Sequence, residues 1–442
     1  DKVDYFKIQF YFSILKIFQF WEIKTFSITQ NWNFIDFKKY KWYNFNMTYI
    51  ERPEYLEKLI NTINTQDIKI ITGIRRSGKS CLLEMFIDYL RKNFSQANII
   101  HINFNDINTE PLCEYHELNK YILEHYQDNV ENFLLIDEIQ LCSGFEKTIN
   151  SIHNSKKFHI YITGSNAFLL SSDLATLFTG RTFEIPIFPF SFAEYKTYFS
   201  NTESDIENLF DSYVKQGGMA GSYSYATEQQ KYKYIKEIFN TLIIRDIKQK
   251  YKIRNITLLE KLTDFLMDNI STEVSSQKLA NTLTSSQQKI NNKTIGSYLT
   301  YLCNAFAFYK VRRYDIRGKK YLASQDKYYL ADHSFRYAIL GTKNMDFGRV
   351  YENIVAIELL RRGYEIYTGV LYKKEIDFVA IKQNQKLYIQ VSDDISSTET
   401  FNREVSPLLN IKDAYPKILI ARTKHEIYSY EGIKIINIAD FL

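Results

Sequence analysis

Between residues 68 and 188 the hydrophobic positions come in short, nearly continuous runs, each ending in a polar or turn-forming residue. Ile68, Ile70 and Ile71 break at Gly73; Asn98–Asn105 ends at Asp106; Phe133–Ile136 ends in Asp137-Glu138; Phe158–Ser165 ends in polar residues; Thr182–Phe188 carries Pro186. Runs of this length and character predict strands buried on both faces of a parallel sheet. Between them the spacing turns helical, with Leu82, Leu83 and Phe86 after the first run and a segment around Cys113–Tyr126 after the second. Such alternation predicts an α/β fold with helices on both faces of the sheet and active groups at the carboxyl ends of the strands. Pro186 and Pro189 place the fifth strand near an edge.

Beyond Phe192 the pattern is helical as far as Asn255, interrupted at Gly217-Gly218 and Gly221, and Tyr232–Lys250 reads as one amphipathic helix. Helices are then expected over 257–269, Ser275–Leu283 and Asn292–Phe306, followed by Tyr309–Tyr314, a turn at Gly318, and Lys320–Leu322 with Lys327–Leu330. Three helices and a hairpin outline a winged helix. A last α/β module follows, with a helix over Gly348–Arg362, strands at Tyr364–Tyr367, Glu375–Ile381 and Leu387–Val391, a helix near Asn402–Ile411 and a strand at Lys417–Ile420. Residues 1–46 differ from all of this. They hold Trp21, Trp32 and Trp42, show no lasting period, and have no signal-peptide core because Lys16, Glu22 and Lys24 interrupt it. The expectation is a non-native or disordered extension over 1–46, with the true start at Met47. A core at 47–200, a helical lid or connector at 201–255, a winged-helix-like domain at 256–340 and a C-terminal module at 341–442 then follow.

Composition changes this picture little. The chain has 442 residues, 45% hydrophobic and 24% charged, which suits two or three globular domains. No apolar run is long enough to span a bilayer, so no membrane partner is expected. The net charge of +5 permits a nucleic-acid partner without demanding one. Cys81, Cys113, Cys142 and Cys303 lack C-x-x-C spacing, which predicts reduced thiols in a cytoplasmic protein and no zinc site.

The chemistry concentrates at Gly73-Ile74-Arg75-Arg76-Ser77-Gly78-Lys79-Ser80-Cys81, the G-x-x-x-x-G-K-[ST] spacing of a phosphate-binding loop between strand and helix. Gly73 and Gly78 let backbone N–H groups face one point, and the following helix aims its positive dipole end there. Lys79 is expected to reach the β- and γ-phosphates of ATP and Ser80 to ligate Mg²⁺. Asp137 at the tip of the third strand would support the metal, and Glu138 would polarise the attacking water. Ser165-Asn166 would sit beside the γ-phosphate. Arg181 is either an arginine finger, in cis or toward a neighbouring subunit of a homo-oligomer, or a structural ion-pair partner. Arg75 and Arg76 either clamp phosphate or tie the loop to an acid elsewhere, and Arg245-Asp246 reads as an intrahelical surface pair in preference to a nucleotide contact. Lys310, Arg312, Arg313, Arg317, Lys319 and Lys320 cluster around the expected wing, either to track the phosphates of double-stranded DNA or as a solvated surface.

The runs GIRRSGKSCLL, LLIDEIQ, TGSNA and LFTGRTFEIPIFPFSFAEY, continued by Gly217-Gly218, TLIIRDI, YENIV, ELLRRGY and EIDFV, resemble a prokaryotic family of AAA-like P-loop ATPases from Met47 onward. The resemblance implies an ATP-binding core, a winged-helix segment and a C-terminal domain of uncharacterised function with a nuclease-like fold. In that last module Glu352, Asp377 and Gln390 resemble the acid, Asp and (Glu/Gln)-x-Lys arrangement of restriction-endonuclease-like sites, but Ser392 stands where the lysine belongs. The reading is an ATP-hydrolysing switch or motor whose nuclease site is degraded. An ATP-gated DNA-binding regulator is the alternative, and a Mg²⁺ nuclease ranks below it.

Overall fold

The computed structural model describes residues 50–165, 178, 180–200, 205–284, 291–318, 320–342, 345–372 and 374–442, so the expectations for residues 1–46 and for Asn166 lie outside the described residues. The chain enters through helix α1 (Pro53–Asn61) and then alternates β1 (Ile68–Thr72), α2 (Lys79–Asn93), β2 (Asn98–Asn103), α3 (Tyr115–Glu124), β3 (Asn132–Asp137), α4 (Phe145–Ser155), β4 (His159–Gly164) and β5 (Thr182–Pro186). The five strands are parallel and lie in the order β2-β3-β4-β1-β5, with β5 at an edge as its prolines require. Successive residues of β3 go to opposite faces. Leu134 and Ile136 join one apolar cluster with Ile70 and Ile162, while Phe133 and Leu135 join another with Leu82, Leu83 and Phe86 of α2. Burial on both faces is why these strands read as continuous apolar runs and not as alternating ones.

A helical connector follows, α5 (Phe192–Tyr198), α6 (Ile206–Gln216) and α7 (Glu228–Thr241). The amphipathic helix expected over Tyr232–Lys250 continues past α7, but its last part, Leu242–Gln249, widens into a π-helix. Then come α8 (Ile256–Asp268), α9 (Ser276–Leu283), α10 (Asn292–Asn304) and the hairpin β6 (Phe308–Asp315) and β7 (Lys320–Leu330). The remainder is α11 (Ser334–Leu340), α12 (Phe347–Arg361), β8 (Glu365–Leu371), β9 (Lys374–Lys382), β10 (Gln385–Ser392), α13 (Thr398–Leu409), β11 (Lys417–Ala421), β12 (Tyr428–Tyr430), β13 (Ile433–Asn437) and α14 (Ile438–Phe441). Among the described residues no helix is long and apolar enough to cross a membrane.

The expected wing does not stand apart on its helices. A second, eight-stranded sheet runs β12-β13-β11-β10-β9-β8-β6-β7, so the hairpin is the edge of the C-terminal module's own sheet. The joint is a parallel pairing that sets Arg312–Asp315 against Tyr367–Val370. One apolar cluster accordingly runs from Ile74 in the glycine-bounded loop through Phe210, Ile243, Leu259 and Leu299 to Phe378 and Ile438. The Gly217-Gly218 break is a close approach inside this continuous core. Gly218 donates its N–H to Asp332 Oδ2 (2.6 Å) and accepts from Phe190 N–H (2.8 Å).

A Cβ on Gly218 would lie 2.2 Å from the Phe190 carbonyl oxygen and 2.7 Å from its nitrogen, backbone atoms that cannot rotate away. Gly218→Ala is expected to destabilise by about 2–3 kcal/mol, in urea unfolding. Gly296→Ala, inside α10 with no described atom nearer than 4.0 Å, is expected to stabilise by about 0.5–1 kcal/mol in the same assay.

Candidate functional site

The loop after β1 turns back on itself at Gly73, where φ is +143° and a Cβ would meet the Ile187 carbonyl oxygen at 2.1 Å. It ends at Gly78, which caps α2 in a left-handed conformation. Only glycine adopts such angles in such space without strain. Lys79 opens α2 and is buried, its Nζ donating to the carbonyl oxygens of Gly73 (2.9 Å) and Ile74 (3.0 Å). Burial lowers its pKa, and the negative charges of Glu138 and Asp137 oppose that shift. Ser80 and Cys81 are exposed on the first turn of the helix.

Because β4 lies between β1 and β3, its carboxyl end comes between the loop and Asp137. Thr163 is the pivot. Its hydroxyl donates to Asp137 Oδ1 and accepts the Glu138 N–H (3.0 Å). Glu138 thereby sits at φ +55°, a left-handed conformation uncommon for a side chain of its size. Its Oε2 accepts from the Ser165 hydroxyl at 3.2 Å and from the Gln140 side-chain amide. Lys79, Asp137, Glu138 and Ser165 are therefore all buried along one edge of the sheet, as the carboxyl-end rule requires.

An AAA domain profile matches residues 65–196, and a domain of unknown function (DUF8612) matches residues 207–346. Two relatives align along nearly the whole length. An uncharacterized protein of Haemophilus influenzae is 40% identical over 89% of this chain and 98% of its own. An uncharacterized protein of Methanocaldococcus jannaschii is 31% identical over 84% of this chain and 85% of its own. The chain belongs to their family, and it carries an AAA domain. Among solved structures, the Walker-type ATPase of Pyrococcus abyssi is similar at a TM-score of 0.48 and 16% identity, over 66% of this chain and 95% of that one. The Aeropyrum pernix Orc1 protein in complex with DNA is similar at 0.33 and 10%, over 71% and 94%. Likenesses that weak carry no argument about activity.

Within the AAA domain the side chains of Ile74, Arg75 and Arg181 are engaged away from the space in front of the loop. Ile74 is fully buried in the apolar cluster shared with the connector. Arg75 does not face outward for phosphate. Its Nε and Nη2 meet Asp246 Oδ2 (3.0 Å) and Oδ1 (2.9 Å) in a two-pronged ion pair. Asp246, expected in a local surface pair with Arg245, instead reaches from the π-helix to the loop. The wider turn there carries Ile243 and Ile247 into the core beside it. Arg76, at φ +65°, is exposed. Arg181 precedes β5, whose Thr182 is level with Ile68 at the amino ends of the strands, and its Nη1 donates to Asn154 Oδ1 at 2.8 Å. The loop lies at the opposite ends, about 15 Å of strand away, so the finger expected of Arg181 in cis does not reach the loop.

Arg52 and Thr163 escaped the sequence reading because their partners are distant in the chain. Arg52 donates Nη1–H to the Ser77 carbonyl (2.9 Å), although 25 residues separate them. Asp246 had a local signal, an acid between the apolar positions Ile243 and Ile247. An open cleft of about 490 Å³ beside the site is lined by Arg75, Glu138, Ser165, Arg245, Asp246 and Lys250.

In the C-terminal module the structure does assemble Glu352, Asp377 and Gln390, and it supplies a lysine from elsewhere. Lys327 of β7 places Nζ 2.8 Å from Glu352 Oε1, 2.6 Å from Glu375 Oε1 and 4.0 Å from Asp377 Oδ1. Tyr329 donates to the same Glu352 oxygen, and the Val391 N–H donates to Asp377 Oδ2. Gln390 spans Asp377 N–H and Glu404. Burial disfavours the ammonium of Lys327, yet Glu352, Asp377 and Glu375 hold its pKa above the ordinary lysine value. Burial, then the neighbouring Glu352, push the Asp377 carboxyl well up. The lysine missing at Ser392 is thus replaced in space by one from the hairpin. Arg361 and Arg362, at the end of α12, pair with Glu358 and not with these acids. Of the hairpin cations, Lys310 pairs with Asp326 (2.7 Å) and Arg313 with Glu273 (2.9 Å). Arg312 and Arg317 are exposed.

Lys327→Met is expected to cost about 3–5 kcal/mol of stability in denaturant unfolding, because it leaves buried carboxylates without a counter-charge. Arg75→Ala and Asp246→Ala should each cost about 1–3 kcal/mol, with the double variant no less stable than the worse single one. Additive losses would show that the pair does not act as a unit.

Proposed function

We propose that this AAA-domain protein binds ATP with Mg²⁺ at Gly73–Ser80 and hydrolyses it, as a molecular switch or motor. The observation that carries the reading is the strand order, which gathers the loop, Asp137, Glu138 and Ser165 at the carboxyl ends of the adjacent strands β1, β4 and β3. Lys79 supplies positive charge to the β- and γ-phosphates. The Ser80 hydroxyl and Asp137 would hold Mg²⁺, which typically takes one or two protein oxygens with phosphate and water as its other ligands. When bound, the ion neutralises charge on the phosphate oxygens.

Glu138 accepts the proton of the attacking water, its carboxylate aimed by Ser165 and Gln140 and its backbone by Thr163. Arg245 lines the same cleft and is a further cation placed to meet a γ-phosphate, whereas Arg75 is held by Asp246. For Arg181 the bond to Asn154 favours a structural role; a role toward a neighbouring copy would make specific activity rise with protein concentration. For the DNA-gated alternative the hairpin leaves Arg312 and Arg317 exposed, while Lys310 and Arg313 are engaged in ion pairs. Lys327 is held between Glu352 and Glu375, which favours a structural joint between hairpin and module over a lysine free to steady an attacking water.

Steady-state phosphate release from ATP, with and without double-stranded DNA, tests the site. Wild type is expected to turn over and Lys79→Ala to lose nucleotide binding. Glu138→Gln is expected to bind ATP with kcat lowered about 10²–10⁴-fold. Equal release by all three proteins refutes the assignment.

A further inference from the structure

The phosphate loop is held from behind by a chain of buried charges that ends in the C-terminal module. Arg52 donates Nη1–H to the Ser77 carbonyl at 2.9 Å and Nη2–H to the Phe188 carbonyl at 3.0 Å. Its other hydrogens go to Glu194, Nε to Oε1 at 2.6 Å and Nη2 to Oε2 at 3.0 Å. The same Oε2 accepts from the Ser191 N–H (2.9 Å), in the capping box that starts α5, and from Nη1 of Arg361 (3.3 Å). Arg361 is the last residue of α12 and donates as well to the Pro189 carbonyl (2.9 Å). The side chains of Arg52, Glu194 and Arg361 are 3%, 19% and 8% exposed. Rings pack over both guanidinium groups, Tyr55 and Phe190 on Arg52 and Phe188 on Arg361.

Two physical points make this more than a bolt between modules. The peptide joining Ser77 to Gly78 is planar and trans, so fixing the Ser77 carbonyl toward Arg52 also fixes the Gly78 N–H on the opposite side. That N–H belongs to the loop whose donors a phosphate would use. A largely buried ion network also has little slack, because loss of one member leaves the others desolvated and short of a partner, which favours their rearrangement.

We propose that Arg361 is a positioning residue for nucleotide binding: the C-terminal module, acting through Glu194 and Arg52, sets the geometry of the loop at Ser77-Gly78. Nucleotide affinity is then linked to whatever shifts α12. By reciprocity, bound nucleotide shifts the module's own affinity for its ligand by the same factor. This rests on the nucleotide site proposed above.

The test is titration of a fluorescent ATP analogue with Mg²⁺ against folded wild type, Arg361→Met, Arg361→Lys and Arg422→Met. Arg422 also joins the C-terminal module to the connector, through Glu207 and Asp211 of α6, but has no bond to the loop. Arg361→Met is expected to bind about tenfold more weakly. Arg361→Lys keeps the charge without the fork, is expected to bind about threefold more weakly, and carries the test if the methionine variant does not fold. Arg422→Met is expected to bind as wild type does. A folded Arg361 variant that binds like wild type overturns the relay while leaving the nucleotide site standing. So does an Arg422→Met loss equal to that of Arg361→Met. Wild type that fails to bind overturns both.

Discussion

A phosphate-binding loop has to keep its backbone donors pointed at one place, and nothing inside a run of glycines and polar residues does that unaided. Here the work is done from outside. Arg52 takes the Ser77 carbonyl, Asp246 takes the Arg75 guanidinium, and Ile74 is buried in the apolar cluster of the connector. These three anchors come from the entry to α1, from the π-helix and from the shared core. The loop is therefore as rigid as the packing of the whole molecule. Isolated surface ion pairs contribute little, but two-pronged and largely desolvated pairs such as these restrict geometry strongly.

The same constraint explains why the chain does not divide cleanly after the AAA domain. The connector has to reach the loop to deliver Asp246, and α12 has to reach Glu194 to deliver Arg361. The hairpin β6–β7 closes the arrangement from the other side, pairing with β8 and sending Lys327 into the acids of the C-terminal module. The second sheet is thus built into the same body as the first, with its acid cluster met by a lysine from a different part of the chain.

Much of the first sheet was legible because burial on both faces leaves a local mark. The five strands were placed to within a few residues, from Ile68–Thr72 to Thr182–Pro186, and the edge position of the last followed from its prolines. Lys79, Asp137 and Glu138 stand out for a related reason, since their residue types and their steps from a strand end are local, and the strand order brings them to the same end of the sheet. The strands β12 and β13 passed unnoticed. Tyr428–Tyr430 is short and exposed, and Ile433–Asn437 follows it closely, so neither leaves a distinct run.

The sequence by itself determined the alternation of strand and helix, the glycine-bounded loop and the carboxylates at the tip of β3, because each is written within a few neighbouring residues. Only the tertiary structure decided which charges face which. It gave Arg75 to Asp246 across 171 positions and Glu194 to Arg52 and Arg361 across 142 and 167. It also moved Arg181 to the far end of the sheet from the loop. Periodicity records whether a side chain is buried, but a buried charge selects its partner by proximity in three dimensions, and that proximity is set by how strands order themselves and how the modules share one core.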